Sequence, residues 1–198
     1  MGWGVSVEPE KIERRRSARY GESGYARAAA DFYPTPDWVT DIAMERLPLQ
    51  GSIWEPACGD GRMARRLRHA GYNVFASDIR ADADSDCTAD FFRHGLLPVC
   101  GPEVRTILTN PPFSRATDFA IHALQLVEPF GGMVVLLLRH DWDCAAGRVD
   151  LVRTLSRKIT ITRRIRWIEG TTGSPREHHA WYVWDGRFPG AGRMEWAP

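Results

Sequence analysis

From Thr35 onward, short apolar runs alternate with amphipathic stretches, and this alternation restricts the fold more than any other feature. The apolar runs are "SIWEP", "YNVFASD", "VRTILTN", "MVVLLLR", "KITITRRIRWI" and "HAWYVWD". Each is bounded by turn residues and reads as a strand. The stretches between several of them have helical spacing. "TPDWVTDIAMERL" opens with Thr35 at an N-cap position and Pro36 at N1, and sets Trp38, Ile42 and Leu47 on one face. "GRMARRLRHAG" places Met63 and Leu67 four apart, with Gly71 as its stop. "RATDFAIHALQLV" and "AGRVDLVRTL" read as further helices. Strands alternating with helices predict an α/β fold, a Rossmann-like, doubly wound and mostly parallel sheet. The most apolar run, "MVVLLLR", is expected at its centre. The last two runs have no helix between them, so they are expected to pair as a hairpin with the last strand antiparallel.

With 198 residues and 43% hydrophobic content, the chain suits one domain with a full core. The expected organisation is a flexible basic arm over residues 1–30, a single domain over 31–187 and a short tail over 188–198. No apolar run approaches the roughly 18 residues that cross a bilayer, so no membrane partner is expected. Cys58, Cys87, Cys100 and Cys144 form no CxxC pair, which fits reduced thiols in a cytoplasm. A formal net charge of +1 gives no overall field. Locally, residues 151–181 are rich in Lys and Arg, including Arg163, Arg164, Arg166 and Arg176, and favour an anionic partner. Asp82, Asp84 and Asp86 alternate as in a calcium loop. However, Cys87 stands where the loop needs Gly and Arg93 where it needs the bidentate Glu. The histidines show no ligand spacing, so no metal is expected.

In doubly wound sheets, ligands bind beyond the carboxyl ends of the strands. The first strand ends in "EPACGDG", Glu55 to Gly61. Its glycines permit a tight turn, and the next helix then directs its free N–H groups to the same place. This is neither GxGxxG nor a P-loop. The acidic Glu55 suits a zwitterion or a sugar better than a phosphate. The second strand ends at Asp78, where an acid commonly accepts from ribose hydroxyls. In "CTADFF", Asp90 could accept from an adenine amine while Phe91 or Phe92 covers the ring.

The third strand ends in "ILTNPPFSRA". Two prolines stop it abruptly. A proline-terminated strand needs neither the Asn before the pair nor the Phe after it. An amine conjugated to a base is a poor nucleophile, because its lone pair is shared with the ring. Two acceptors on its N–H bonds improve it by stabilising the charge that develops during attack. The Asn110 side-chain oxygen and the Pro111 carbonyl can be that pair. Pro112 stiffens the turn, and Phe113 can stack on the base.

Together these residues resemble the S-adenosylmethionine-dependent adenine-N6 DNA methyltransferases of bacteria and phages. "EPACGDG" is similar to their motif I and "NPPF" to their catalytic motif IV. "DFYPTP", Asp31 to Pro36, resembles the segment that precedes motif I. The resemblance covers about residues 31–185 and implies a class I methyltransferase fold with S-adenosylmethionine as cofactor. It implies that Phe32, Tyr33 and Thr35 border the methionine end of the cofactor and that Glu55, Ala57 and Gly59 frame its amino-acid part. Asp78 would hold the ribose, and Asp90 with Phe91 the adenine. Asn110 and Pro111 would hold the target amine, and Phe113 would stack on a flipped adenine in DNA. Unlike the large members of that family, the chain is expected to carry no separate target-recognition domain. Readout is then expected from the basic arm, from loops carrying Arg163, Arg164, Arg166 and Arg176, or from a second subunit. Asn-Pro-Pro-aromatic also serves RNA base amines and protein glutamine amides, and a module that binds the cofactor without transferring methyl groups remains a separate reading.

Overall fold

The structure, a computed structural model, describes residues 33–93, 104–167 and 177–198. The expected arm over residues 1–30, Phe32 and Arg176 lie outside the described residues. In chain order the elements are α1 (Asp37–Arg46), β1 (Ser52–Glu55), α2 (Arg62–His69), β2 (Val74–Asp78), β3 (Cys87–Thr88), β4 (Val104–Thr109), α3 (Ala116–Val127), β5 (Met133–Arg139), α4 (Val149–Arg153), β6 (Arg157–Ile161), β7 (His179–Asp185) and β8 (Arg193–Ala197).

One eight-stranded sheet carries them in the order β3-β2-β1-β4-β5-β7-β6-β8. Neighbours run parallel, except that β7 is antiparallel to both β5 and β6. The expected pairing of "KITITRRIRWI" with "HAWYVWD" forms, with Ile161 opposite His179. The chain runs outward from β1 through β2 and β3, then resumes on the other side of β1 as β4. The order therefore reverses between β1 and β4, and a crevice opens beyond their carboxyl ends. Glu55 ends β1 and Asn110 follows β4, so the topology brings both to that crevice.

The apolar runs are explained by burial on both faces. Met133, Val135 and Leu137 of β5 join one core with Val39, Ile42, Met63 and Leu67 from α1 and α2. Val134, Leu136 and Leu138 face the other core with Phe119, Ala123 and Val127 of α3 and Leu151 of α4. A strand covered on both sides cannot alternate with polar residues. The two buried indoles on β7 are satisfied by backbone carbonyls. Trp181 Nε1 donates to the Val39 carbonyl at 3.0 Å, and Trp184 Nε1 to the Leu151 carbonyl at 2.9 Å.

Three local features differ from the expected pattern. Helix α1 begins at Asp37, with Pro36 as its extended N-cap residue, and Thr35 does not cap it. The Thr35 hydroxyl instead accepts from Asn110 Nδ2 at 3.1 Å. Strand β6 stops at Ile161, well short of Trp167. Its neighbours explain this, because β7 starts at His179 and β8 ends at Ala197, both opposite Ile161. Among the described residues no strand lies opposite residues 163–167. Finally, Arg193–Ala197 form an edge strand inside the segment expected to be a tail. Met194 and Trp196 of that strand are exposed, so its pattern carries no core signal. Its register is held by Arg157 Nε to Glu195 Oε1 at 3.2 Å and by Thr162 Oγ1 donating to the Ala197 carbonyl at 2.9 Å.

Gly61 precedes α2 with φ of 68°. A Cβ there would sit 2.6 Å from the Asp84 carbonyl oxygen. Gly61→Ala is therefore expected to lower the urea-unfolding free energy by about 1–3 kcal/mol. Gly71→Ala is the control and is expected to cost less. Its φ is also positive, at 92°, but its added Cβ meets open space.

Candidate active site at the carboxyl ends of the sheet

The crevice between β1 and β4 is a real cleft. Tyr33, Thr35, Glu55, Ala57, Gly59, Asp78, Asp90, Phe91 and Asn110 all border it. Sequence positions far apart therefore meet in one place. Cys58, Met63 and Ile79 also line the wall, and no motif marked them as site residues. Burial pushes the Cys58 thiol up to about 12, with Glu55 and Asp78 adding to the effect. It stays protonated and contributes a wall rather than a nucleophile.

Glu55 forms the floor and is 2% exposed. Its Oε2 is buried without a hydrogen-bond partner. Burial pushes its carboxyl well above the ordinary 4.5, and the Asp60 and Asp78 charges push the same way. An unsatisfied buried carboxyl at the end of a cleft suits a cationic group of a ligand.

Asp78 already has protein partners. Its Oδ2 accepts from the Gly59 N–H at 2.8 Å and its Oδ1 from the Arg80 N–H at 2.9 Å. The first bond ties the Gly59 turn, where φ is 60°, to the end of β2. Two oxygens offer about four lone-pair sites, so acceptor capacity remains toward the cleft. Asp90 Oδ1 accepts from the Phe92 N–H at 3.0 Å, closing a local turn. Phe91 is 3% exposed, with its ring stacked on Phe119 at 4.7 Å and edge-on to Trp54 at 5.3 Å. It is a fixed wall of the cleft and belongs to the core.

Asn110 is held by its amide nitrogen. Nδ2 donates to the Tyr33 carbonyl and to Thr35 Oγ1, both at 3.1 Å. Its Oδ1 is buried and has no partner. The protein thus spends the amide's donors on its own chain and leaves the acceptor unused. Pro111 is buried, and Pro112 opens a tight turn, its carbonyl accepting from the Arg115 N–H at 2.9 Å.

Phe113 lies outside the cofactor-side cleft in an aromatic cluster. Its ring stacks on Tyr33 at 5.5 Å and approaches His179 at 5.8 Å and Trp167 at 6.3 Å. Trp167 and His179 carried no motif signal. They arrive here because β6 and β7 pair beside β5. Burial, with the Arg139 charge and His178 beside it, pushes His179 down to about 4, so the ring is neutral near pH 7.

The basic residues divide. Arg163, Arg164 and Arg166 are exposed in the loop after β6. The Arg163 guanidinium sits over the Trp38 ring at 4.6 Å, and Arg164 Nε donates to His178 Nε2 at 3.0 Å. Lys158 is 3% exposed and paired with Asp143, so it adds nothing to an anion-binding face. The alternating acids are also occupied: Asp82 pairs with Arg80, Asp84 with Arg65 and Asp86 with Arg68. Among the described residues no group of three or more His, Cys, Asp or Glu is placed to hold a metal ion. No described helix is long and apolar enough to cross a membrane.

Several solved structures that share this fold are methyltransferases. The methyltransferase subunit of a type I restriction-modification system from Streptococcus thermophilus matches with a TM-score of 0.56 and 13% identity over 77% of this chain. This chain spans only 44% of that subunit. An rRNA methyltransferase from Streptomyces viridochromogenes matches at 0.51 and 13% identity, covering 83% of this chain and 89% of the other. The 23S rRNA methyltransferase ErmE matches at 0.52 and 15% identity, covering 77% and 68%. No protein-family model matches the sequence, and neither does any curated protein. The fold is thus the Rossmann-like fold of class I methyltransferases.

The raised Glu55 carboxyl has a consequence for stability. Above about 4.5 the unfolded chain has released this proton while the folded chain keeps it. Folding stability therefore falls as pH rises from 4.5 through the raised value. Thermal melts of the ligand-free protein should show this loss, and Glu55→Gln should flatten it.

Proposed function

We propose that this chain transfers a methyl group from S-adenosylmethionine to the N6 amine of adenine in DNA. The observation that carries this reading is the Asn110 amide. Its nitrogen is fixed by Tyr33 and Thr35, and its buried Oδ1 is left without a partner beside the cleft. Asn110 Oδ1 and the Pro111 carbonyl would accept the two N–H bonds of the target amine. As the amine attacks, positive charge builds on its nitrogen, and two prepositioned acceptors stabilise it without reorganising. Pro111 and Pro112 hold the turn rigid, which keeps both acceptors aligned. Phe113 would stack on the extruded base.

The residues present fit the cofactor. Glu55 Oε2, buried and unpartnered, would accept from its ammonium group, with the Ala57–Gly59 backbone beside it. Asp78 retains lone pairs for ribose hydroxyls, Asp90 would accept from the adenine amine, and Phe91 forms the wall behind that ring. Phe32 belongs to the same proposed site by resemblance. Bound there, S-adenosylmethionine supplies a methyl group on a sulfonium sulfur, open to in-line displacement by the amine. DNA is favoured by the resemblance of Asp31–Pro36 to the segment before motif I in DNA enzymes. Arg163, Arg164 and Arg166, with Arg176, would contact phosphates, and a second subunit could add sequence readout.

Tritiated methyl transfer onto unmethylated duplex DNA, single-stranded DNA, RNA and protein in parallel should yield N6-methyladenine in DNA. A methylated RNA amine or glutamine as the main product overturns the DNA reading. Cofactor binding with no transfer to any polymer would reassign the chain as a binding module. Asn110→Ala should retain cofactor affinity and lose roughly 10²–10³-fold in transfer, the usual effect of removing one such acceptor or donor. For duplex binding, Arg163→Ala and Arg164→Ala should each flatten the slope of log affinity against log salt by about 0.9 per phosphate contact removed.

A further inference from the structure

His179 is the first residue of β7, facing Arg139 of β5 and Ile161 of β6. It is 2% exposed, and neither Nδ1 nor Nε2 has a hydrogen-bond partner. Burial keeps the ring neutral, with one nitrogen carrying hydrogen and the other a lone pair. Leaving both unused is costly in a folded core, since each buried unsatisfied polar atom loses its water without compensation. A phenylalanine would fill the same aromatic cluster at no such cost. The ring lies within 5.8 Å of Phe113 and 5.0 Å of Trp167, centroid to centroid. Phe113 in turn stacks on Tyr33, whose carbonyl holds Asn110. The two sets of unsatisfied buried atoms, Asn110 Oδ1 and the His179 nitrogens, thus lie on one connected set of side chains at the same sheet edge.

We propose that His179 is a base-positioning residue that donates a hydrogen bond to a ring nitrogen of the target adenine while Asn110 holds the exocyclic amine. This rests on the methyl-transfer reading above. The base would enter by parting the rings packed on Phe113, and the imidazole N–H would then find an acceptor that adenine has and guanine lacks at the position beside the amine. In the same pose guanine presents N–H at N1 and a carbonyl at C6 in place of the amine, so a donor would meet the imidazole N–H and an acceptor would meet Asn110 Oδ1. His179 would therefore discriminate between purines by the mismatch as much as by the match.

The test uses the full chain with three oligonucleotide substrates, in which the target is 1-deaza-, 3-deaza- or 7-deazaadenine, beside unmodified adenine. The variants are His179→Phe, which keeps an aromatic ring, and His179→Asn, which restores a donor. His179→Phe should raise the melting temperature or leave it unchanged, leave cofactor affinity unchanged and lower kcat/KM on adenine roughly 10- to 100-fold, as expected when a buried acceptor loses its donor. The 1-deaza substitution should slow the wild type by the same factor and leave His179→Phe unaffected. His179→Asn should recover part of the rate. Equal losses for both proteins on all three analogues would overturn the proposal, and so would a wild-type rate for His179→Phe. Those results leave methyl transfer intact, because the wild type still methylates adenine and Asn110→Ala still loses roughly 10²–10³-fold in the same assay. If the wild type methylates no base at all, the methyl-transfer reading fails and this proposal fails with it.

Discussion

The central strands of the sheet are buried on both faces, and this pushes polar groups toward strand ends. Along β5 and β7, alternate residues enter one core or the other. A polar side chain within them would lose water on either side. Lys158 of the neighbouring β6, also buried, shows what an exception requires. Asp143 Oδ2 meets its ammonium at 2.7 Å and the His140 carbonyl meets it at 2.8 Å. Against burial, which alone would raise it, the Lys158 ammonium and the Tyr182 hydroxyl hold the Asp143 carboxyl below its usual range. Elsewhere, polar chemistry is displaced to the ends of strands. The reversal of order between β1 and β4 then decides which ends gather around an opening.

That opening is electrostatically unfinished. Glu55 Oε2, Asn110 Oδ1 and both His179 nitrogens are buried without partners. By contrast, Asp78, Asp84, Asp86 and Asp185 are each engaged by backbone N–H groups or arginines. Thr40, Thr109, Trp142 and Thr160 also carry buried polar atoms without partners, so the pattern is not confined to the opening.

Much of this was legible in the sequence because two periodicities and a few strand-end residues carry it. Double burial writes itself as "MVVLLLR" and "HAWYVWD", and strand termini mark themselves with Gly, Asp or Asn-Pro-Pro. What was not legible depends on register. Thr35 looked like a helix cap, since nothing local says that Asn110 would claim its hydroxyl. Lys158 looked like part of a basic surface until β6 turned it onto Asp143. The run to Trp167 read as strand, although the ladder ends where His179 and Ala197 both face Ile161. β8 escaped notice because its apolar residues point outward. His179 sits in an apolar run and gains meaning only through the rings that surround it.

Tyr33 and Thr35 border the cofactor-side cleft and at the same time fix the amide of Asn110. One short strap therefore serves both halves of the site. On the proposed function, a cofactor that seats this strap also aligns the acceptor for the target amine. The dependence must run both ways, since coupling between two binding events is reciprocal. A base lodged against Asn110 would tighten the strap over the cofactor by the same factor. The two substrates would then communicate through four residues, Tyr33 to Pro36, without any movement of the sheet.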